Sequence, residues 1–252
     1  INDRWIESST SRNRVSDTLT GAAGDIAQAV WRFIPDYNKT LTFPVAKHFD
    51  FTTPEYAKSD EILEKKWEST RGVGHSFGAN RNERPQDIVT STELIRSFCD
   101  IVSKNGNLLI GIGPGPDGRI PDEQQVPVRG LGEWMKINEA AVRGTRPWTI
   151  AQTTTTEGTE VRFTHGDGNE GGTGARDQGV LNAILIDTPG RRTVSLRGLR
   201  ADHVGTVELL GVKGAIPHSV DDDGVLEITL PEQLPVSAAH VLRLRGSFRP
   251  RD

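Results

Sequence analysis

Apolar positions change their spacing along the chain near residue 147, and that change divides the sequence into two regions. In TSTELIRSFCDIVSKNG (90–106), Leu94, Ile95, Phe98, Ile101 and Val102 recur at the three-to-four spacing of an amphipathic helix. Thr90 or Ser91 can cap it, Glu93 falls in its first turn, and Gly106 is expected to stop it. NLLIGIG (107–113) is then an unbroken apolar run between turn residues, the pattern of a strand buried on both faces. VRGLGEWMKINEAAV (128–142) predicts a second helix and KKWEST (65–70) a short strand, while INDRW reads as a strand end. Strand, helix, strand, helix is the order of a parallel sheet with covering helices. Within 6–46, DIAQAVWRF predicts a helix inside a long loop.

From residue 149 onward the runs are short and β-rich: EVRFTH, GVLNAILID, RTVSLRG, VGTVELLG, VLEITLP and HVLRLRG. Turn chemistry such as HGDGNEGGTG, DTPGR and DDDG separates them. Short strands at regular intervals predict an all-β sandwich or barrel. The expected division is an α/β region over 1–148 and an all-β domain over 149–252.

Composition narrows the function classes. With 252 residues, 35% of them hydrophobic and 25% charged, the chain has the make-up of an ordinary globular protein. A net charge of −4 offers no basic footprint for nucleic acid. No run is long and apolar enough for a membrane-crossing helix. The single cysteine, Cys99, has no partner for an internal disulfide and sits in an apolar helical run, as a small buried hydrophobe does. Nothing here fixes a compartment.

Several motifs resolve to bland chemistry. GPGPDG matches G-x-G-x-x-G at Gly113, Gly115 and Gly118, but a dinucleotide site needs backbone N–H donors and a helix opening at once. Pro114 and Pro116 lack an N–H and RIPDE follows, so a rigid turn is expected. The six histidines include no pair at helical metal spacing; HFD (48–50) and GHS (74–76) could each give one ligand, with nothing to supply a third. No nucleophile elbow appears. No metal and no cofactor is expected.

The stretch 48–83 is the informative one. It interleaves the carboxylates Asp50, Glu55, Glu68 and Glu83 with Phe49, Phe51, Tyr56, Trp67 and Phe77. Aromatic faces beside carboxylates suit sugars: rings cover apolar C–H faces, and acids bond hydroxyls or move protons. The same residues could equally be core aromatics beside solvated acids, and composition leaves both open.

NDRW (2–5), DFTTPEY (50–56), WESTRGVGHSFGANRNE (67–83), DIVSKNGNLLIGIGPGPDGRIPD (100–122) and GTRPW (144–148) resemble, in that order, the second half of the α-L-fucosidases of glycoside hydrolase family 29. The resemblance covers most of 1–148 apart from the loop 6–46, and the β-rich tail is similar to the family's C-terminal sandwich by position and character. It implies the C-terminal half of a (β/α)8-type (TIM) barrel followed by an all-β sandwich. It also implies removal of terminal α-L-fucose from a fucosylated oligosaccharide or glycoconjugate, with retention, through a covalent intermediate and two carboxylates. By the same resemblance Glu55 corresponds to the acid/base, Arg4 to the arginine that contacts the sugar, and Phe77 to an aromatic lining the fucose pocket.

In the family the nucleophile lies on a strand before the one ending in NDRW. A missing N-terminal barrel half and an inactive isolated chain are therefore expected, and a homo-oligomer is left open. Three positions depart from the family's habit: Ala79 where a tyrosine is often found, Gly111 where an asparagine is often found, and the longer loop 6–46. The rival interpretations are another retaining glycosidase on the same barrel and a non-catalytic fucose-binding protein.

Overall fold

A computed structural model describes residues 50–166 and 179–251. The expectations for Arg4, the INDRW strand end and the loop 6–46 lie outside the described residues.

Two strands, β1 (Trp67–Gly72) and β2 (Gly106–Gly111), pair in parallel with Trp67 beside Gly106 and Gly72 beside Gly111. A further segment joins the other edge of β1: Thr52 bridges Trp67 and Glu55 bridges Thr70, again in parallel. Its ladder includes Glu68 N–H to Thr52 O at 2.8 Å, Thr70 N–H to Pro54 O at 3.0 Å and Tyr56 N–H to Thr70 O at 2.9 Å. Pro54 accepts from β1 but has no N–H to return, so pairing here stays at isolated bridges.

Helix α1 (Ser91–Ser103) follows the predicted periodicity. Its N-terminus is a capping box: Thr90 Oγ1 accepts from Glu93 N–H at 3.2 Å, and Glu93 Oε2 accepts from Thr90 N–H at 2.9 Å. The stop differs from expectation. Asn105, at φ 70°, takes the left-handed position after the helix, and its Nδ2 donates to Leu63 O at 2.8 Å. Gly106 instead opens β2, where a Cβ would come within 2.6 Å of the Trp67 ring and 2.7 Å of Ile101.

Of the two faces of β2 expected to be buried, the described residues cover one. Leu108 and Ile110 pack with Val73, Val89 and Leu94 on the helix side, whereas Leu109 on the opposite face is 46% exposed. Among the described residues only one face of this sheet is covered.

Helix α2 (Asp122–Asn138) starts six residues before the predicted 128, with Pro121 at its cap and Asp122 and Glu123 in its first turn. Pro127 lies inside it and is buried; it removes one helical hydrogen bond without ending the helix. A helix therefore does follow GPGPDG, after the turn in which Gly118 N–H bonds Gly115 O at 2.9 Å and Gly118 takes φ 78°.

The remainder is two antiparallel sheets built from β3 (Arg146–Thr154), β4 (Glu160–Gly166), β5 (Val180–Ile186), β6 (Thr193–Ser195), β7 (Leu199–Leu209), β8 (His218–Val220), β9 (Leu226–Thr229) and β10 (His240–Pro250). One sheet has the order β3-β4-β5-β10-β7 and the other β6-β9-β8. Val161, Phe163, Leu181, Leu242 and Leu244 of the first meet Val194, Leu226 and Ile228 of the second in one core, as two faces of a sandwich do. Strand β3 begins at Arg146 and so runs across the point between 148 and 149 where the sequence changes character.

The helices lie between the parallel strands and this sandwich. On their far side Ile95, Cys99 and Trp134 pack against Ile184 of β5 and Val241 of β10. Trp134 Nε1 donates to Ala239 O at 2.9 Å, and its ring meets Phe98 edge-on. Asp100 Oδ1 accepts from Lys104 Nζ at 2.8 Å and from Arg162 Nε of β4 at 2.6 Å. Cys99 is fully buried, and that burial raises its thiol pKa, so it is a packing residue.

Candidate active site

The parallel arrangement brings the ends of three chain segments together: Glu55–Tyr56, Gly72–Val73 and Gly111–Ile112. In-register parallel partners share a face, so Glu55, Thr70 and Leu109 stand side by side on the face away from the helices. Glu68 is on the same face, two residues before Thr70 and opposite Asn107. Glu55 is exposed.

Tyr56 closes this end. Its φ is 51°, a left-handed conformation that costs a bulky residue energy unless its surroundings fix it. The surroundings are specific. Tyr56 Oη donates to Gly74 O at 3.0 Å and accepts from Gly72 N–H at 3.1 Å. Its ring meets Phe77 edge-on at 5.6 Å between centroids, and the Arg71 guanidinium sits 5.4 Å from its centroid. Arg71 Nε donates to Gly72 O at 3.1 Å. Desolvation raises the Tyr56 phenol pKa and lowers that of Arg71.

The loop after β1 is held from its other side as well. Glu83 Oε1 accepts from His75 N–H at 2.7 Å, and its carboxylate fills the space beside Gly74, 2.1 Å from where a Cβ would stand. Gly72 likewise has no room for a side chain, with Ser76 O 2.0 Å from its Cβ position. Phe77 emerges from this loop 45% exposed, its ring 3.6 Å from the Cβ position of Gly111. Beyond it, Gly113 lies against Gly78 and Ala79 and donates its N–H to Gln124 Oε1 at 2.7 Å. A cleft opens there beside Ala79, Asn80, Pro114 and Gln124.

Two of the sequence-predicted residues, Glu55 and Phe77, therefore lie at one end of the sheet; Arg4 lies outside the described residues. Glu83 serves the loop as a backbone acceptor, and Asp50 is exposed at the start of the described chain. The bracing of the site by Tyr56 and Arg71 had no signal in the sequence, because a left-handed tyrosine leaves no periodic trace. No group of three His, Cys, Asp or Glu side chains comes together for a metal among the described residues.

Comparison with known proteins gives this geometry a context. A family model described as Alpha-L-fucosidase matches residues 28–140. An α-L-fucosidase of Branchiostoma floridae is 28% identical over 191 residues, covering 73% of this chain and 40% of that protein. The tissue α-L-fucosidase of Homo sapiens is 29% identical over 182 residues, covering 72% of this chain and 36% of that protein. The structure of Thermotoga maritima α-fucosidase in complex with fucose superimposes with a TM-score of 0.67 at 34% identity, over 79% of this chain and 43% of the other. The chain thus spans 40% or less of the length of these two curated relatives.

Proposed function

This chain is related to the α-L-fucosidases of glycoside hydrolase family 29, and from that premise we propose that it supplies the acid/base side of a fucosidase active site. In this proposal the three parallel segments belong to the C-terminal half of a (β/α)8 barrel within 1–148, with the sandwich of 149–252 behind it. Sequential parallel segments with helices on one face support it, as does the clustering of candidate residues at the strands' C-terminal ends, where such barrels carry their chemistry.

Glu55 protonates the glycosidic oxygen of a terminal α-L-fucose as its bond to carbon breaks. It then removes a proton from the water that hydrolyses the covalent fucosyl intermediate. Phe77 packs on an apolar face of the sugar, and Arg4 donates charge-assisted bonds to its oxygens. Retention needs a second carboxylate roughly 5 Å from the first. Glu68 shares the face of Glu55 but stands toward the other end of the sheet, so it is not assigned the nucleophile's role. The substrate is a fucosylated oligosaccharide or glycoconjugate.

The observation that carries this proposal is that Glu55 and Phe77 lie at one end of the parallel sheet, Glu55 on the face the helices leave uncovered and Phe77 exposed in the loop after β1. In the full-length protein, Glu55→Gln is expected to slow fucosides with poor leaving groups far more than activated aryl fucosides, with azide restoring turnover of the latter. Equal losses on both, without rescue, would transfer the role to Glu68 or Asp50.

A further inference from the structure

We infer that Tyr56 is a positioning residue that fixes the acid/base Glu55 and the sugar-facing Phe77 relative to one another; this inference rests on the function proposed above. Three observations carry it.

The first is the backbone. Immediately after Glu55 the chain turns at φ 51° on a tyrosine, where glycine would adopt the conformation without strain. A tyrosine held there is explained by what its side chain does. The second is the hydroxyl. It bonds both Gly72 N–H and Gly74 O, at 3.1 and 3.0 Å, and so ties the strand end that carries Glu55 to the loop that carries Phe77. Tyr56 N–H, bonded to Thr70 O at 2.9 Å, sets the height of that tie along the sheet. The third is the ring, which backs Phe77 edge-on at 5.6 Å and is itself covered by Arg71 at 5.4 Å. Gly72 and Gly74 complete the fit, since neither has space for a Cβ. A tyrosine serving only as core packing needs neither the turn nor the paired bonds to one loop.

Tyr56→Phe separates these contributions, because it keeps the ring and the turn and removes only the hydroxyl bonds. In the full-length protein, amide exchange at Gly72 is expected to accelerate while the urea midpoint stays near that of the wild type. kcat/KM should fall by roughly ten- to a hundredfold, as displacement of a reacting group by part of an ångström does. The loss in kcat should be larger for a poor leaving group, which needs Glu55 in place, than for an activated one. KM should rise for both, because Phe77 is loosened. Phe77→Leu should raise KM without the leaving-group dependence.

Unchanged exchange at Gly72 would overturn the bracing. Accelerated exchange with unchanged kinetics, or with equal kcat losses on both substrates, would make Tyr56 merely structural. A drop in the urea midpoint that accounts for the lost activity would do the same. A wild-type protein inert on every α-L-fucoside would remove the parent proposal and this inference with it, a result told apart by its appearing before any substitution is made.

Discussion

Replacing Asp100 by alanine should cost as much stability as truncating an apolar core residue of the helix layer. Asp100 is 8% exposed and Lys104 is 3% exposed, and one carboxylate oxygen accepts from both Lys104 Nζ at 2.8 Å and Arg162 Nε at 2.6 Å. Alanine leaves two cations without that acceptor. Arg162 retains Glu160 Oε2 at 2.9 Å, a partner near solvent, whereas Lys104 is stranded against the core. Breaking a buried pair from one side costs about 3–5 kcal/mol, and the surviving Glu160 contact favours the lower figure. For a chain of this size about 3 kcal/mol lowers the melting temperature by roughly 6–12 °C. Urea denaturation followed by tryptophan fluorescence measures it directly, with an unchanged m-value as the check that the unfolded state is the same. The companion variant is Asp100→Leu combined with Lys104→Met and Arg162→Met. Removing all three charges should return stability close to that of the wild type, because the desolvation cost leaves with them. A loss below about 1 kcal/mol for Asp100→Ala, the size of an ordinary exposed pair, would refute the argument that this cluster is buried and coupled.

Two further outcomes follow from packing and titration. Gly106→Ala should destabilise by about 1–3 kcal/mol, because its methyl must displace the Trp67 ring and Ile101; a urea midpoint equal to that of the wild type would show that the ring can move aside. Burial lowers the pKa of His240 below its ordinary 6.5, against the opposing pull of Asp187, so the native state holds the ring neutral. Its contribution is complete above about pH 6.5 and is lost as pH falls toward and through the depressed native value, since the unfolded chain takes up the proton first. His240→Gln should flatten that part of the stability–pH curve, and an unaltered slope would remove His240 as its source.

The elements with a dominant period were legible in the sequence, and those governed by a local exception were not. α1 is legible because its apolar residues recur at helical spacing, yet its stop falls at Asn105, which takes the left-handed position, and not at the expected Gly106. α2 begins before the expected 128, with Pro121 as its cap and Pro127 costing only one bond. β3 contains Pro147, which reads against a strand but is tolerated at the edge of a sheet. NLLIGIG looked doubly buried because Leu109 is as apolar as its neighbours, and only pairing assigns it to the uncovered face. The site was legible as residue types but not as an arrangement. Glu55 and Phe77 are far apart in the chain, and what joins them is the pairing with Thr70 and the bonds of one tyrosine hydroxyl.

The helix layer has two apolar sides, and this bears on how independent the sandwich is. Ile184 and Val241 cover the far side of the helices, and the Trp134 indole and the Asp100 carboxylate are bonded to the sandwich behind. The sandwich is therefore a fixed back wall and not a tethered accessory. It cannot swing away or be exchanged for another module without stripping Ile95, Cys99 and Trp134 of their cover. Helices and sandwich are in this sense one body with a shared seam, and loosening either should loosen both.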